Sequence, residues 1–435
     1  MGLTAEERRV CEAIAARREA LVELARTLIG FDTTARSPGE PPRQEAELQR
    51  HLASRLEAVG AEIDLFEPDA TALQGKPLVP PGLDFAGRPQ LIATRRGAGE
   101  GRSLVLNGHI DAVSVEPRDA WTSDPFAAQV RDGNLYGRGA CDMKGGIAAM
   151  AFAVETLASL GVTLAGDLIV ATNTDEESSG AGGTALVHRG LKADAGIVTE
   201  ATGFDTWVGC RGSDYCVVRV AGRPGHAEVH QPDWRAGGAV NAIEKAVLVL
   251  EAVAGLRREW AARPEFEHPY LSPPSLLATM VRGGEWPVTY PASCELTLAV
   301  MHLPGQRGVR EDVERWIATE TARDDWLREH PPEIEWWPNA VQGFEMPEDE
   351  PIVTTMLETS RDIGRPGQIS GLDSWYDGAT LTTLGGIPSI AYGPPGFGRE
   401  GLSLAHMIDE FVPVDGLVAC AQGIAVAAMR FCGRA

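Results

Sequence analysis

The stretches that decide the fold are Asn107-Gly-His-Ile-Asp111 and Gly137-Arg-Gly-Ala-Cys-Asp-Met-Lys-Gly-Gly146. They carry an imidazole and carboxylates on short turns that follow apolar runs, and a divalent metal binds these groups when cysteine is not used. Glycine lets the backbone bend tightly, so the side chains of His109, Asp111 and Asp142 can come together. The two stretches therefore predict part of a hydrolytic metal centre, and the rest of the chain must supply the missing ligands.

Short apolar runs and helical patterns alternate on either side of these stretches. The apolar runs that are typical of strands cover 61–66, 91–94, 103–107, 167–172, 195–200 and 388–392. The helical patterns cover 4–30, which is opened by the capping box Thr4-x-x-Glu7, and also 43–59, 145–160 and 414–431. This alternation predicts an α/β domain whose mixed, mostly parallel sheet is flanked by helices. Turns that follow such strands meet at one edge of the sheet.

The sequence changes character after about residue 210. Strand-like runs and helical patterns now follow one another at 215–220, 236–255, 294–300 and 309–329. They predict an inserted α+β lid domain with an antiparallel sheet over 211–330, within a catalytic domain formed by 1–210 and 331–435. The Pro- and Trp-rich segment 331–338 is interpreted as the connection back to the catalytic domain. A chain of 435 residues is long enough for two such domains.

Composition and charge argue against several classes of protein. The net charge of −22 disfavours nucleic acid and anionic membranes as partners. The seven cysteines include no Cys-x-x-Cys pair, so neither a zinc finger nor a disulfide framework is predicted. The charged N-terminus lacks the apolar core of a signal peptide, and no apolar run approaches the roughly 18 to 20 residues that span a bilayer. We therefore expect a soluble, cytoplasmic protein with a small-molecule substrate.

A centre with two metal ions needs a bridging carboxylate and further ligands for each ion. Asp142 suits the bridge because its glycine-rich turn admits close approach. The remaining donors follow other strands: His109 and Glu200 could complete one site, and Glu177 and His406 the other. Imidazole and carboxylate groups accept zinc, manganese or cobalt, so this donor set does not name the metal.

Glu176 and Asp111 are candidates for roles beside the ligands. Neighbouring side chains on extended backbone point in opposite directions, so Glu176 and Glu177 are not expected to bind the same ion. One carboxylate as ligand and the other as general base is the division that hydrolysis requires. Asp111 could accept the second N–H of the His109 imidazole and hold its tautomer. Each residue alone could belong to an ordinary loop or helix end, but their joint occurrence after strands favours the metal centre.

Four motifs along the chain resemble those of one metallopeptidase family. They are Asn107-Gly-His-Ile-Asp111, Tyr136-Gly-Arg-Gly-Ala-Cys-Asp-Met-Lys-Gly-Gly146, Thr174-Asp-Glu-Glu-Ser-Ser-Gly180 and Ala405-His-Met-Ile-Asp-Glu-Phe411. The family contains acetylornithine deacetylase, succinyl-diaminopimelate desuccinylase, aminoacylase and the glutamate carboxypeptidases. The resemblance extends from the first helix to the last, and the motifs are specific in combination.

The resemblance implies a centre with two ions of zinc or a related metal. Its ligands would be His109, Asp142 and Glu200 at one ion and Asp142, Glu177 and His406 at the other. Glu176 would be the general base, with Asp111 behind His109. His226, within Gly222-Arg-Pro-Gly-His-Ala227, would help to polarise the scissile carbonyl from a lid domain that usually mediates dimerisation. The glutamate at position 200 resembles the residue that the deacylases and carboxypeptidases carry there more than the residue of the aminopeptidases.

The inserted domain departs from the family pattern. Family members often carry an Asn-x-x-Pro segment and a later arginine, which help to hold the carboxylate and carbonyl of the substrate. Here the corresponding segments read Val288-Thr-Tyr-Pro291 and Met301-His-Leu-Pro-Gly305, whereas Gly371-Leu-Asp-Ser-Trp-Tyr376 resembles the aspartate-containing loop of the family. Candidates to replace the missing side chains are the basic residues Arg211, Arg282 and His302, and candidates to line an aromatic subsite are Trp286, Tyr290, Trp375 and Tyr376. Ordinary packing also explains each of these aromatic residues.

The sequence thus predicts a metal-dependent amidohydrolase that cleaves the C–N bond of a small N-acyl amino acid or a related acylated amine. A homodimer formed through the lid domain is expected from the resemblance. The alternatives among enzymes are a dipeptidase or carboxypeptidase with the same centre, and a hydrolase that deacylates or deaminates a non-peptide, aromatic substrate. A non-catalytic metal-binding homologue is a more distant alternative, because the ligands and the base are all present.

Overall fold

The computed structural model describes residues 2–36, 40–338, 340–396 and 402–435. This part of the chain divides into two compact units. The first unit is built from Met1–Gly209, Glu345–Gly371 and Tyr376–Ala435, and the second from Cys210–Phe344 and Leu372–Trp375.

Strands and helices alternate along the chain. The strands are β1 (Glu62–Phe66), β2 (Gln90–Arg95), β3 (Leu104–His109), β4 (Gln129–Arg131), β5 (Asn134–Tyr136), β6 (Leu168–Asn173), β7 (Ala195–Val198), β8 (Thr206–Cys210), β9 (Gly212–Ala221), β10 (Ser275–Gly283), β11 (Ser293–His302), β12 (Glu333–Trp336), β13 (Phe344–Glu345), β14 (Ile369–Leu372), β15 (Ser389–Ala391) and β16 (Phe411–Pro413). The helices are α1 (Ala5–Ala16), α2 (Arg18–Gly30), α3 (Glu45–Glu57), α4 (Ala70–Leu73), α5 (Lys144–Ser159), α6 (Ala181–Arg189), α7 (Ala242–Ala261), α8 (Val309–Thr321), α9 (Asp325–Glu329), α10 (Pro351–Asp362), α11 (Gly378–Thr383) and α12 (Val414–Cys432).

The large sheet is mixed and has a parallel centre. Among the described residues its order is β1-β2-β6-β3-β7-β15-β8-β13, with β14 paired to β8. Strand β3 runs parallel to β6 and β7, and β15 runs parallel to β7, whereas β1, β2 and β6 pair antiparallel. Each residue of β3, β6 and β7 is buried. This explains why these strands are short apolar runs without alternation, as strands covered on both faces are.

The register of the central strands brings the predicted site to one edge of the sheet. His109 at the end of β3 lies opposite Asn173 at the end of β6, and Asn107 lies opposite Val198 at the end of β7. Because parallel strands end at the same edge, the turns that follow β3, β6 and β7 leave the sheet side by side.

The predicted N-terminal helix over 4–30 is in fact two helices, α1 and α2. The capping box is present, since the Thr4 hydroxyl accepts from the Glu7 N–H and the Glu7 carboxylate accepts from the Thr4 N–H. Arg17 leaves helical geometry, with φ −105° and ψ 24°, and separates the two helices. Both helices pack against α5 and α12.

Helix α12 has the length and apolar composition that crossing a membrane requires, which the sequence prediction did not recognise. However, 78% of its apolar window is buried within the structure. It contacts α1, α2, α5 and α10, so its apolar side chains form part of the core.

The second unit contains an antiparallel sheet in the order β10-β11-β9-β12. Helices α7 and α8 pack against each other, and α7 covers the sheet, with a core that includes Val218, Val249, Trp260, Leu298 and Val313. Together with the parallel centre of the large sheet, this antiparallel sheet confirms the predicted fold class.

Two local predictions for the second unit were wrong. Residues 333–336, within the segment interpreted as a connection, form β12 and pair with β9, so 331–344 belong to the second unit rather than the first. The predicted helix over 309–329 is interrupted, because Asp324 caps α9 by accepting from the Leu327 N–H. Whether the second unit acts as a lid stays a prediction.

Candidate metal centre

His109 is held at the end of β3 by contacts on both ring nitrogens. Its side chain is 1% exposed, and Nε2 lies 3.1 Å from Oδ1 of Asp142. Nδ1 donates to the backbone oxygen of Asp111 at 3.0 Å. That carbonyl, rather than the Asp111 carboxylate as predicted, receives the N–H, since Oδ1 of Asp111 is 3.7 Å away. A hydrogen bond at Nδ1 leaves Nε2 free for a metal, which is the usual arrangement for a histidine ligand.

Asp142 lies between two histidines. Its Oδ1 faces His109 at 3.1 Å, and its Oδ2 lies 3.4 Å from Nε2 of His406. The glycines after Asp142 allow α5 to approach the sheet closely: a Cβ atom on Gly146 would come within 2.0 Å of the Thr199 oxygen. A carboxylate with one oxygen toward each histidine has the orientation that a bridging ligand needs.

Glu177 meets His406 at the other side of Asp142. Its Oε2 lies 3.0 Å from Nε2 of His406, whereas its buried Oε1 has no hydrogen-bond partner in the described part of the chain. The His406 backbone has φ 65°, in the left-handed region that residues other than glycine seldom adopt. The backbone is therefore strained at the residue whose imidazole contacts Glu177 and Asp142.

Glu176 and Glu177 lie in a turn, not on the extended backbone that the sequence suggested. The Asp111 carboxylate holds this turn by accepting from the Glu176 N–H at 3.3 Å and the Glu177 N–H at 3.1 Å. The two side chains still face different histidines, since Oε2 of Glu176 lies 4.0 Å from Nε2 of His109. Asp111 therefore supports the turn with its carboxylate and His109 with its carbonyl.

Glu200 completes the cluster from the turn after β7. Its Oε1 lies 3.8 Å from Nε2 of His109, and the residue is 7% exposed. The structure thus brings together His109, Asp142, Glu176, Glu177, Glu200 and His406, as the sequence predicted for these six residues.

The donor set fits a divalent metal. His109, Asp142 and Glu177 each offer one ligand atom, and these atoms lie within 4.8 Å of one another. A buried carboxylate oxygen without a hydrogen-bond partner, as at Glu177, is costly unless a cation or a donor completes it. Imidazole nitrogen and carboxylate oxygen are suitable ligands for zinc, manganese or cobalt.

The concentration of carboxylates shifts the pKa values of the cluster. Burial, together with neighbouring carboxylates, raises the pKa of Glu176 and of Glu200 well above the usual range. Burial alone would lower the pKa of His109, but the charge of Glu176 and a hydrogen bond to Asp142 raise it well above its usual value. Hydrogen bonds to Asp142 and Glu177 raise the pKa of His406 to about 10. Negative charge is therefore in excess, which favours cation binding.

A buried arginine behind the glutamate turn was missed by the sequence analysis. Arg88 is 1% exposed and donates to Oδ1 of Asp175 at 2.7 Å and to Oε1 of Glu45 at 3.2 Å. Asp175 directly precedes Glu176 and has φ 70°, so this ion pair holds a strained residue at the start of the turn. No local motif marks Arg88, because its partners come from distant parts of the chain.

A chain of buried polar side chains lies behind the cluster. The amide of Asn107 donates to the Asn173 oxygen at 2.9 Å, and the Asn173 amide donates to Oδ2 of Asp377 at 2.6 Å. Burial raises the pKa of Asp377 to about 6. The aspartate loop noted in the sequence pointed to Asp373, which is exposed and accepts from Ser272 in the second unit. The buried carboxylate that faces the cluster is Asp377, four residues later.

Several predicted substrate-binding residues lie in the second unit. His226 is exposed, and its predicted role stays a prediction. Arg211 is buried and donates to the backbone oxygens of Asp373 and Pro273, so it braces its own unit. His302 is buried, with Nδ1 at 3.2 Å from the Leu303 oxygen.

The candidate aromatic residues have different environments. Trp286 is 68% exposed and, together with Glu285, Thr289 and Tyr290, lines a cavity of about 560 Å³ in the second unit. Tyr376, by contrast, is 1% exposed in the first unit and packs edge-on against Trp207. It is a core residue, as the packing interpretation allowed.

Comparison with known families supports the resemblance seen in the motifs. The family model described as Peptidase family M20/M25/M40 matches residues 105–430. This match confirms the predicted family and, with it, a hydrolase that acts on C–N bonds.

Two curated relatives and one solved structure illustrate the similarity. The chain is 27% identical to N-formyl-4-amino-5-aminomethyl-2-methylpyrimidine deformylase of Halalkalibacterium halodurans, over 92% of each chain. It is 29% identical to acetylornithine deacetylase of Myxococcus xanthus, over 93% of this chain and 96% of the relative. The structure of human carnosine dipeptidase 1 superposes with a TM-score of 0.75 at 15% identity, covering 99% of both chains, and supports the fold alone.

Proposed function

The chain belongs to peptidase family M20/M25/M40, and from this premise we propose that it removes an acyl group from the nitrogen of a small amine or amino acid. The observation that carries the proposal is the convergence of His109, Asp142, Glu177 and His406 with the buried carboxylate of Glu176 beside them. Ligands and a base at one edge of the sheet are what amide hydrolysis requires.

We propose that two divalent metal ions, zinc before manganese or cobalt, are the cofactors. The residues that would hold them are His109, Asp142 and Glu200 for one ion and Asp142, Glu177 and His406 for the other. When bound, such ions polarise a carbonyl group and make water a stronger nucleophile at neutral pH. The family resemblance and the excess of buried carboxylates support this assignment.

Glu176 would act as the general base. Its carboxylate is buried near His109 and does not contact His406, which faces Glu177 instead. Burial raises its pKa well above the usual range, so the carboxylate accepts a proton readily. It would take a proton from the attacking water and deliver it to the leaving nitrogen. Asp111 and Asp175 would orient it through the turn that they hold.

The acyl group and the amine are chosen by residues outside this cluster. The second unit lacks the expected asparagine and arginine that help to hold a substrate carboxylate, since Val288 and the segment 301–305 stand there. A relative that covers 92% of this chain is a deformylase of an aminomethylpyrimidine. An acylated heteroaromatic amine is therefore the second candidate substrate.

The test is hydrolysis of a substrate panel by the purified enzyme loaded with Zn²⁺, Mn²⁺ or Co²⁺. The panel contains N-acetyl and N-formyl amino acids, N-formyl aminomethylpyrimidines, and dipeptides. We expect release of formate or acetate, lost on treatment with a chelator and restored by metal. Selective cleavage of dipeptides would replace the proposal by a dipeptidase, and a protein that binds metal but cleaves no member would favour a non-catalytic homologue.

We also propose that the protein forms a homodimer through the second unit. Helix α7 exposes Ile243, Val247 and Leu250 along one face, and the neighbouring strand β10 exposes Met280 and Val281. Strand β10 lies at the edge of the antiparallel sheet in the described part of the chain. An apolar face beside an open strand edge suits pairing with the same strand of a second copy around a twofold axis.

Sedimentation measurements test this assembly. The wild-type protein should sediment as a dimer, and Val281→Glu combined with Val247→Glu should yield a folded monomer because charges would be buried at the interface. A monomeric wild-type protein would refute the dimer without bearing on hydrolysis. We propose a cytoplasmic location, supported by seven scattered, buried cysteines among which the sequence has no Cys-x-x-Cys pair.

A further inference from the structure

Glu410 is a fully buried carboxylate that lies outside the metal cluster and yet binds the backbone that carries it. Its exposure is 0%. Oε1 accepts from the N–H groups of Cys141 at 2.8 Å and Asp142 at 3.1 Å. Oε2 accepts from the Gly139 N–H at 3.1 Å and from Nη1 of Arg138 at 2.6 Å. One carboxylate therefore holds the turn 138–142 along its length.

Arg138 is buried with Glu410 and connects the turn to the backbone at Met407 and at Ser114. It is 2% exposed. Its guanidinium also donates to the backbone oxygens of Met407 at 3.2 Å and Ser114 at 3.1 Å, and it lies 4.9 Å from the ring centroid of Trp121. A charge-assisted pair in such a site is strong as long as both partners are present.

The pair connects two loops that supply different ligands. Strand β5 pairs with β16, and the Gly137 N–H donates to the backbone oxygen of Glu410 at 2.9 Å. The loop that follows β5 ends at Asp142, and the loop that precedes β16 contains His406. Glu410 belongs to the second loop and binds the amides of the first, so it is a direct link between the two.

The loop that carries His406 needs such support. His406 and Asp409 have φ values of 65° and 56°, in the left-handed region. Non-glycine residues stay in that region only where the surrounding structure holds them. The Asp409 carboxylate accepts from the N–H and hydroxyl groups of Thr122. The next residue is Glu410, whose side chain is bonded to the turn 138–142.

We propose that Glu410, paired with Arg138, is a positioning residue that holds Asp142 at the distance from His406 that metal binding requires. The inference rests on the proposed metal centre. Loss of the Glu410 carboxylate frees the amides of Cys141 and Asp142 and leaves the Arg138 charge without its partner. The distance between Asp142 and His406 is then no longer fixed by this link.

Zinc binding by the metal-stripped, full-length protein is the test, measured by calorimetric titration with Zn²⁺ alone. Groups that orient metal ligands typically change metal affinity about 10- to 100-fold when they are removed. We expect a loss of that size for Glu410→Gln and a smaller one for Glu410→Asp, which keeps the charge beside Arg138 but is one methylene shorter. In the hydrolysis assay, kcat should fall at limiting metal and recover with excess metal, while KM stays nearly constant.

Glu155→Gln is the matched control. Glu155 is also a mostly buried glutamate, and it accepts two hydrogen bonds from Arg55 at 2.8 Å between α5 and α3. Its loss should lower stability without changing zinc affinity. Unfolding midpoints measured for all variants identify the folded ones, and Glu410→Asp serves if Glu410→Gln does not fold.

The outcomes separate this inference from the proposed function. If the wild-type protein binds Zn²⁺ and folded Glu410 variants bind it equally well, the positioning role is overturned while the metal centre stands. If the wild-type protein binds no metal, both the proposed function and this inference fail. A weaker affinity in the Glu410 variants, with unchanged affinity in Glu155→Gln, supports the inference.

Discussion

Glu177 and His406 are 229 positions apart in the sequence, and yet Oε2 of the glutamate lies 3.0 Å from Nε2 of the histidine. The glutamate follows β6 at the centre of the large sheet, whereas the histidine precedes β16 near the C-terminus. Asp142 faces the same histidine nitrogen at 3.4 Å. One half of the candidate centre is therefore assembled from three segments that only the tertiary structure brings together.

Replacement of His406 should remove one metal ion and spare the other. His406→Ala deletes a nitrogen donor from the site with Glu177, whereas His109, Asp142 and Glu200 keep theirs. We expect the metal content of the dialysed protein, measured by elemental mass spectrometry, to fall from two equivalents to one. The exposed His188 at the end of α6 offers a control, since His188→Ala should keep both ions. Two tightly held ions in His406→Ala would contradict its assignment as a ligand.

Replacement of Glu176 should separate hydrolysis from metal binding. Glu176→Gln keeps the shape of the side chain but removes the proton acceptor, so the rate should fall by about 10²- to 10⁴-fold with metal content unchanged. The measurement is kcat on the best substrate of the panel, alongside metal analysis. Glu47→Gln, an exposed change on α3, should leave kcat as it is. Near-normal turnover in Glu176→Gln would remove this residue from the role of base.

Replacement of Arg88 should destabilise the first unit strongly. Arg88→Met leaves the carboxylates of Asp175 and Glu45 buried without their cation, and breaking a buried ion pair typically costs about 3–5 kcal/mol. Urea unfolding would show the loss as a lower midpoint. Arg189→Met is the comparison: it breaks an exposed pair with Asp64 and should change the midpoint little. If Arg88→Met lowers the midpoint as little as Arg189→Met does, the Arg88 network is not important for stability.

The stability of the second unit should depend on pH through Asp324. Burial would raise the pKa of this carboxyl group, but hydrogen bonds from Lys245 at 2.7 Å and from the Leu327 N–H lower it below its usual value. A folded-state pKa below the unfolded one contributes stability above the unfolded pKa, and this contribution disappears as the pH falls through the folded one. Asp324→Asn should therefore lower the unfolding midpoint near neutral pH, and this effect should shrink as the pH falls through the pKa of Asp324 in the folded protein. A pH-independent effect would show that the charge is not the cause.

The candidate ligands and the candidate base could be predicted from the sequence because their signals are local. His109 ends β3 and Glu177 follows β6, and the parallel register of these strands puts their turns at one edge, whereas Asp142 lies in the glycine-rich motif that follows β5. The supporting residues could not be read in the same way. Arg88 and Asp377 lie outside the quoted motifs, and Glu410 lies inside one, but what each of them does depends on a partner that is distant in sequence.

The boundaries of helices and strands were also predictable where the signal is local and not where it depends on distant contacts. The capping box at Thr4 was predictable because it spans four residues. The break at Arg17 was not, because the buried residues Ile14 and Leu21 on either side of it keep helical spacing. Residues 333–336 looked like a connection because proline and tryptophan dominate the segment, but pairing with β9 makes them a strand. Helix α12 is apolar on nearly every side because α1, α2, α5 and α10 surround it.

By itself, the sequence determined the fold class, the family and the chemical type of the centre, since these depend on periodicity and on side chains grouped in short motifs. Only the tertiary structure decided how the centre is held together. The Asp111 carboxylate supports the glutamate turn, Arg88 neutralises the residue that precedes it, and Glu410 joins the loops of Asp142 and His406. The physical reason is that a buried charge must find its partner in three dimensions, and the distance to that partner along the chain leaves no local pattern.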